Sequence, residues 1–280
     1  MFQITGVSLA QATQSILYQE ILNLKKAPAQ AASALNLGIA SACVEELTKK
    51  TPSNQTLWTS LRSTDFTPKI WAFLWKVMHN AYKVGKYGIN IPSCEQRAQC
   101  HACKGVEKSM EHILTECRAS GQETIWNWAE EVWALCGLPW TKPHFGTILG
   151  CGLADFHPEN DEKAWLPGTN HLYAILLSES AHQIWRMRCK WKIANRASLE
   201  KIPTEQEIRA TWIRNLNRRL QLEILLTNRS KYGPKTLKPQ LVEKTWWGIL
   251  QDQESLSDDW LRTGTGVLVG IGDRPPGQNR

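Results

Sequence analysis

Residues 100–117 read CHACKGVEKSMEHILTEC, and they hold the most informative pattern in the chain. Cys100 and Cys103 are separated by two residues, a spacing that lets both sulfur atoms face one point, and His112 and Cys117 follow at close range. Three thiolates and one imidazole form one of the usual closed tetrahedral shells for Zn²⁺, and soft sulfur ligands favour zinc over Mg²⁺ or Ca²⁺. Four protein ligands leave no position for a reacting water. The pattern therefore predicts a structural zinc ion rather than a catalytic one.

The spacing of the last two ligands also constrains the local structure. Ser109 can cap a short helix that contains His112, and on a continuous helix a residue five positions later points about 140° away. The helix must therefore end before Cys117 if both residues bind one ion. Cys94 and His101 are further candidate ligands: Cys94 is close enough in sequence to replace a ligand, whereas His101 is expected to point outward. The alternative interpretation is a set of ordinary buried thiols with a surface histidine and no metal.

The residues before the cysteine segment predict a core helix. Residues 69–83 read KIWAFLWKVMHNAYK and carry apolar side chains at the spacing of one helix face, namely Ile70, Phe73, Leu74, Val77 and Met78. Trp71 and Trp75 widen that face, so we expect this to be the core helix of the middle domain. Helical signals of this kind dominate the chain, and strand signals are few. The predicted fold is mostly α: a helical bundle with an inserted Cys3His zinc knuckle and a second α-helical region towards the C-terminus.

Two longer helices are predicted downstream, at 169–196 and 204–230. Thr204 followed by Glu207 is typical of a capping box at the start of the second helix. The predicted elements divide the chain into five parts: a helical linker region at 1–52, a zinc-binding domain at 53–149, a connecting loop at 150–168, a basic helical domain at 169–262 and a disordered tail at 263–280.

The composition bounds the class of protein. The chain has 280 residues, 14 of them tryptophan, and its N-terminus lacks the basic and apolar segments of a secretion signal. No apolar run approaches the length of about 18 residues that a membrane-spanning helix needs. We therefore expect an intracellular protein, in the nucleus or cytoplasm, whose eight cysteines are thiols or metal ligands rather than disulfides. Four of them lie among apolar neighbours and are expected to be small buried apolar residues: Cys43, Cys136, Cys151 and Cys189.

Positive charge is concentrated in one region. Residues 181–240 contain 14 Lys and Arg against four acidic residues, a net charge of +10, whereas the whole chain carries +7. Such a region is a candidate electrostatic footprint for nucleic acid. The residues predicted to contact phosphate are Arg186, Arg188, Lys190, Lys192, Arg214, Arg218 and Arg219.

The stretch WRMRCKWK at 185–192 contributes four of these cations. On a helix they separate into two pairs, Arg186 with Lys190 and Arg188 with Lys192. The two tryptophans of the same stretch either stack on bases or pack inward, and inward packing is the favoured interpretation.

The stretch 73–117, FLWKVMHNAYKVGKYGINIPSCEQRAQCHACKGVEKSMEHILTEC, resembles the reverse-transcriptase zinc-binding domain of non-LTR retrotransposon polyproteins. The resemblance is specific over about 60–135 and weaker on either side. The leading residues look like the linker that follows an RNase H-type domain, and the basic C-terminal segment looks like the continuation seen in fungal copies. The residues that carry the resemblance are Trp71, FLWK at 73–76, His79, Cys100, Cys103, Glu107, HIL at 112–114, Cys117 and Trp126.

The resemblance implies a helical zinc module that binds RNA or DNA with weak sequence preference. In such polyproteins the module lies behind the reverse transcriptase and RNase H domains, which would be its upstream partners. The chain itself contains no polymerase motif, none of the spaced carboxylates of an RNase H site and no evident nucleophile arrangement. We therefore expect a non-catalytic remnant of a retrotransposon reverse transcriptase rather than an enzyme.

Two functions stay open on the sequence alone. The first is nucleic-acid binding through the zinc knuckle and the basic helices, with no membrane partner. The second is a structural or protein-interaction module, in which zinc holds the helices together and tryptophan faces bind another protein.

Overall fold

The computed structural model describes residues 13–24, 31–157, 166–263 and 269–270. Within these ranges the chain is predominantly helical and forms no β-strand, which confirms the predicted mostly α fold. The α-helices are α1 (Gln14–Leu24), α2 (Ala31–Thr48), α3 (Asn54–Ser60), α4 (Pro68–Met78), α5 (Met110–Thr115), α6 (Gln122–Ala134), α7 (Phe145–Gly150), α8 (Pro167–Ile193), α9 (Glu205–Leu226), α10 (Arg229–Tyr232), α11 (Pro239–Trp246) and α12 (Trp260–Thr263). Short 3₁₀ helices lie at Gly85–Gly88, Glu95–Ala98, Arg118–Ser120, Cys151–Leu153, Leu199–Lys201, Gly233–Lys235, Trp247–Ile249 and Gln253–Ser255.

Helix α8 is the central element of the fold. Every residue from 170 to 181 is buried, and the helix packs against α4, α5, α6, α7, α9 and α11. A helix that is covered on all sides needs no polar stripe, so this part of α8 shows no amphipathic pattern. Its C-terminal part does expose one face, which includes Arg186 and Lys190. None of the described helices combines the length and the apolar character needed to span a bilayer.

The predicted apolar stripe of α4 is confirmed, because its five side chains are at most 2% exposed. The two tryptophans that were expected to widen this face lie at the surface instead. Trp71 is 38% exposed and Trp75 is 39% exposed. The neighbouring helices pack along the apolar stripe, so the indole rings that flank it stay partly exposed to solvent. The ring of Trp75 lies 4.2 Å from that of His79, measured between ring centroids.

The two long C-terminal helices form close to the predicted positions. The helix predicted at 169–196 is α8, and the one predicted at 204–230 is α9, which ends at Leu226. Thr204 and Glu207 form the predicted capping box, with each side chain bonded to the backbone N–H of the other residue. Residues on both sides of the connecting loop belong to one hydrophobic cluster, while the division into domains itself stays a prediction. Most of the tail predicted at 263–280 lies outside the described residues.

A buried ionic network joins α8, α9 and α11. The imidazole of His171 lies 2.8 Å from a carboxylate oxygen of Asp65 through Nδ1 and 2.8 Å from one of Glu223 through Nε2. Arg219 also pairs with Glu223, at 2.7 Å, and the indole N–H of Trp246 donates to the second oxygen of that carboxylate. Burial alone would lower the pKa of His171, but the hydrogen bonds to the two carboxylates outweigh it and raise the pKa to about 9. The network therefore holds α8 and α9 together, and these two helices carry the seven predicted nucleic-acid contacts.

Candidate metal centre

A short hairpin carries the first two cysteines, Cys100 and Cys103. The N–H of Cys100 donates to the carbonyl of Val106 at 2.9 Å, and the N–H of Val106 donates to the carbonyl of Cys103 at 3.4 Å. Gly105 completes the turn at φ +73°, a left-handed conformation that favours glycine. The hairpin thus brings both thiols to the same side of one tight turn.

Helix α5 and the turn after it supply the other two side chains. The Ser109 hydroxyl accepts a hydrogen bond from the N–H of His112 at 2.9 Å, which confirms the predicted cap. The helix ends at Thr115, and the N–H of Cys117 folds back to donate to the carbonyl of His112 at 2.7 Å. The helix therefore ends before Cys117, as the sequence spacing requires.

The four predicted ligands converge. One ligand atom from each of Cys100, Cys103, His112 and Cys117 lies within 4.8 Å of all the others. The sulfur atoms of Cys100 and Cys117 are 3.7 Å apart, close to the edge of about 3.8 Å in a tetrahedron with zinc–sulfur bonds of about 2.3 Å. Cys103 is half-buried and the other three residues are buried. The donor set and its spacing are compatible with a metal site.

The orientation of His112 supports this assignment. Its Nδ1 lies 3.0 Å from a carboxylate oxygen of Glu116, whereas its Nε2 is buried and has no hydrogen-bond partner among the described residues. A carboxylate that accepts from one ring nitrogen directs the lone pair of the other nitrogen to a metal. A buried nitrogen without a partner costs about 1–3 kcal/mol, and a bond to a metal ion would remove that cost.

The sulfur atoms of Cys100 and Cys117 lie within hydrogen-bond distance, at 3.7 Å, and this contact shifts both pKa values. A hydrogen bond from the Cys117 thiol is the largest contribution that lowers the pKa of Cys100, to about 3, and the backbone N–H groups of Ala102 and Cys103 add to it. The same hydrogen bond, together with burial, raises the pKa of Cys117. The direction of the shift at Cys100 favours the thiolate, which is the form of cysteine that binds a metal.

Cations from two parts of the chain surround the cluster. Arg188 is 3% exposed, and its guanidinium lies over the ring of Trp191, 4.6 Å from the ring centroid. Burial and neighbouring cations lower the pKa values of Lys108 and Lys192, while the charge of Cys100 raises both. A Zn²⁺ ion with three thiolates and a neutral imidazole has a formal charge of −1, so nearby cations offset the charge of such a centre.

The cluster is attached to the central helix through Trp191. This residue is fully buried and packs with Cys100 and Cys117 in a small hydrophobic cluster of its own, against which Ile202 is also packed. Its indole N–H donates to the carbonyl of Ser198 at 2.7 Å. Inward packing, the favoured interpretation of this tryptophan, is thus confirmed.

Sequence analysis missed two residues of the site. Glu116 contacts His112 across four positions of the chain, and that spacing is itself a signal of contact on a helix. The position of Trp191 could not be found in this way, because it depends on how α8 packs against a hairpin about ninety residues earlier in the chain.

The seven predicted nucleic-acid contacts divide into three groups. Four are exposed, one is half-buried beside the metal centre, and two are buried. The exposed ones are Arg186, Lys190, Arg214 and Arg218, the half-buried one is Lys192, and the buried ones are Arg188 and Arg219.

The two buried arginines require a correction. Arg219 donates to Glu223 and to the backbone carbonyl of Asp65, so its charge is already used within the fold. Arg188 is buried against the ring of Trp191, and its charge lowers the pKa of Cys117. Neither side chain is in a position to contact a phosphate backbone, because a buried cation that already has a structural role would have to leave its site.

The remaining cysteines and the spare ligands lie outside the group of four. His101 is exposed, as expected, and Cys94 is half-buried. Of the four cysteines that were expected to be buried, only Cys151 is so among the described residues, and Cys43, Cys136 and Cys189 are half-buried. None of the eight cysteines forms a disulfide.

Comparison of the chain with models of protein families, with curated proteins and with solved structures found no match. The resemblance to the reverse-transcriptase zinc-binding domain therefore depends on the residues quoted for it, and it stays a prediction.

Proposed function

We propose that this chain is a non-catalytic, zinc-stabilised nucleic-acid-binding protein, related to the reverse-transcriptase zinc-binding domains that its cysteine segment resembles. The observation that carries the proposal is the Cys3His group, whose ligand atoms lie within 4.8 Å of one another. Three of its four residues are buried, and the histidine has a buried nitrogen with no hydrogen-bond partner among the described residues. Zinc is the proposed ion because three of the four ligands are sulfur.

The proposed role of the ion is structural. Four protein ligands complete a tetrahedral shell, so no position is open for a reacting water. The ion would tie the hairpin of Cys100 and Cys103 to the end of α5, and Trp191 would connect that unit to α8. Binding energy of this kind contributes directly to folding, because the unfolded chain offers no preformed site.

The nucleic-acid role is supported by exposed positive charge on α8 and α9. Arg186, Lys190, Arg214 and Arg218 are exposed, and no carboxylate of the described residues lies within ion-pair distance of any of them. Unpaired surface cations gain more from binding phosphate than cations that would first have to break an ion pair.

A protein-interaction module is the second candidate, and one specific observation favours it. Trp71 and Trp75 lie one turn apart on the outer face of α4, and each is more than one-third exposed. Large exposed indole rings are common in binding surfaces for other proteins.

A titration with labelled oligonucleotides separates the two candidates. The zinc-loaded chain is mixed with a fluorescent single strand of about 20 nucleotides, either DNA or RNA, over a range of salt concentrations. The proposal predicts binding that weakens steeply with salt and is unaffected by Trp71→Ser with Trp75→Ser. Absence of binding at low salt would contradict it and leave the protein-interaction module as the better account.

A further inference from the structure

A groove runs between the C-terminal part of α8 and the N-terminal part of α9, with a volume of about 970 Å³. The connection between the two helices, at residues 200–204, forms part of its wall. Four exposed cations line it: Arg186 and Lys190 from α8, Lys201 from the connection and Arg214 from α9. One of the two cation pairs predicted on the helix thus faces this groove, while the other lies towards the metal centre.

The charge of the groove is positive and largely unpaired. None of the four cations has an ion-pair partner among the described residues, in contrast to Arg219, which is neutralised by Glu223. Two carboxylates also line the groove, which leaves a formal charge of +2 from four cations and two anions. One of these carboxylates belongs to Glu207 and is held by the capping box at the start of α9.

The lining of the groove indicates which part of a nucleic acid it would contact. Trp191 is the one aromatic residue among the described residues that line it, and its ring is fully buried. Bases would therefore find no ring to stack on, and the exposed cations would contact the phosphates. Contacts to phosphate carry no sequence information, so binding would show little base preference.

The dimensions of the groove favour a single strand. A volume of about 970 Å³ corresponds to a space about 10 Å across, whereas the major groove of a B-DNA duplex alone is about 12 Å wide. A groove of this size accommodates the backbone of one strand but is too small to enclose a whole duplex.

The metal centre supports one wall of the groove. Trp191 and Ile202 both line the groove, and both also belong to the hydrophobic cluster around Cys100 and Cys117. The connection that carries Lys201 is thereby anchored to the metal-binding residues.

We propose that this α8–α9 groove binds the phosphate backbone of a single RNA or DNA strand. The inference rests on the proposed nucleic-acid function and identifies the surface that performs it. Single-stranded RNA and DNA share the phosphodiester chemistry that the groove recognises.

The expected salt dependence follows from the number of cations. A single strand that contacts four cations should give a slope of about −3 in a plot of log K against log salt, since each phosphate contributes about 0.7. Between about 50 and 200 mM salt, that slope corresponds to a loss of affinity of about 50-fold.

The test compares two charge-reversal variants of the zinc-loaded full chain. The groove variant is Arg186→Glu with Arg214→Glu, and the control variant is Arg229→Glu with Lys231→Glu, whose side chains are exposed on α10 outside the groove. Both variants change the net charge by the same amount. Zinc content and far-ultraviolet circular dichroism establish that each variant has folded before its affinity is measured.

Binding is followed by fluorescence anisotropy with unstructured single strands of oligo-dT and oligo-U, and with a duplex as competitor. We expect the groove variant to lose at least about 50-fold in affinity at about 50 mM salt, and its salt slope to fall by about half. The control variant should stay within about threefold of the wild type, because it removes only long-range attraction.

Each other outcome has a definite meaning. Equal losses of affinity in the two variants would refute the assignment of nucleic-acid binding to the α8–α9 groove, and so would a duplex that competes as well as a single strand. Either result would leave the proposed function intact. If the wild-type chain binds no oligonucleotide at low salt, both the proposed function and the role of the α8–α9 groove are refuted.

Discussion

Replacement of Glu116 tests whether the imidazole of His112 is held for a metal ion. The carboxylate lies 3.0 Å from Nδ1 of the ring, and it is the group that fixes which nitrogen faces the thiols. Loss of such a partner typically lowers metal affinity by about 10–100-fold. The Glu116 side chain is 60% exposed, so water can partly replace it, and we expect Glu116→Ala to lie at the lower end of that range.

The expected loss is therefore about tenfold in zinc affinity, or about 1.4 kcal/mol. The assay is a competition between the chain and a zinc-binding dye of known affinity, under reducing conditions at constant pH. Glu116→Gln should recover part of the affinity, because the amide oxygen can still accept from Nδ1.

The matched control is Glu111→Ala in α5, the helix that Glu116 directly follows. Glu111 carries the same charge, and its side chain makes no hydrogen bond or ion pair to the described residues. We expect this variant to bind zinc almost as tightly as the wild type. Equal zinc affinities for Glu116→Ala and the wild type would refute the assigned orientation of His112. Equal losses of zinc affinity in the two alanine variants would show that the effect comes from the loss of a negative surface charge and not from the contact with His112.

Three further predictions concern the fold that holds the site. Because the pKa of His171 is raised from 6.5 to about 9, its contribution to stability is complete below pH 6.5 and disappears as the pH rises through about 9. The free-energy difference between the wild type and His171→Gln in urea unfolding should therefore shrink by about 3 kcal/mol across this window, and a constant difference would contradict the assigned network. Trp191→Phe removes the hydrogen bond to the Ser198 carbonyl, so it should lower the free energy of unfolding by about 1–3 kcal/mol in the same assay and weaken zinc binding. An unchanged zinc affinity would show that this ring does not support the metal-binding residues. Gly121→Ala should lower the free energy of unfolding by about 1–3 kcal/mol, because the residue has φ +70° and a Cβ atom would lie 2.8 Å from Ile208. This geometry would be contradicted if the loss were smaller than that caused by an alanine substitution on an exposed helix face.

The convergence of the three cysteines and His112 was largely predictable from the sequence because its information is local. The four ligands fall within 18 residues, and the requirement that the helix end before Cys117 follows from helical geometry alone. The cap at Ser109 and the capping box at Thr204 were predictable for the same reason, since each depends on residues three positions apart.

The central position of α8 was not predictable in this way. Polar residues such as His171 and Glu179 interrupt its apolar pattern, yet both are buried, because partners far away in sequence satisfy them. Such compensation depends on tertiary packing, and no periodicity reveals it.

The charge count likewise could not separate surface cations from structural ones. Arg186 and Arg188 are two residues apart, yet the helix turns one towards solvent and the other towards the metal centre. The stripe of α4 was predicted from its spacing, whereas the exposure of Trp71 and Trp75 depended on which neighbours cover the helix. The type of a side chain determines which ligands it can bind, and the packing of the helices determines whether that side chain is exposed to a ligand.

The most direct test of this account is the zinc content of the purified chain, measured by elemental analysis after reconstitution under reducing conditions. The geometry of Cys100, Cys103, His112 and Cys117 predicts about one tightly bound zinc ion per chain, and a loss of that ion together with helical structure in Cys117→Ser. A chain that folds fully with no stoichiometric metal, or a Cys117→Ser variant that binds zinc as tightly as the wild type, would contradict it.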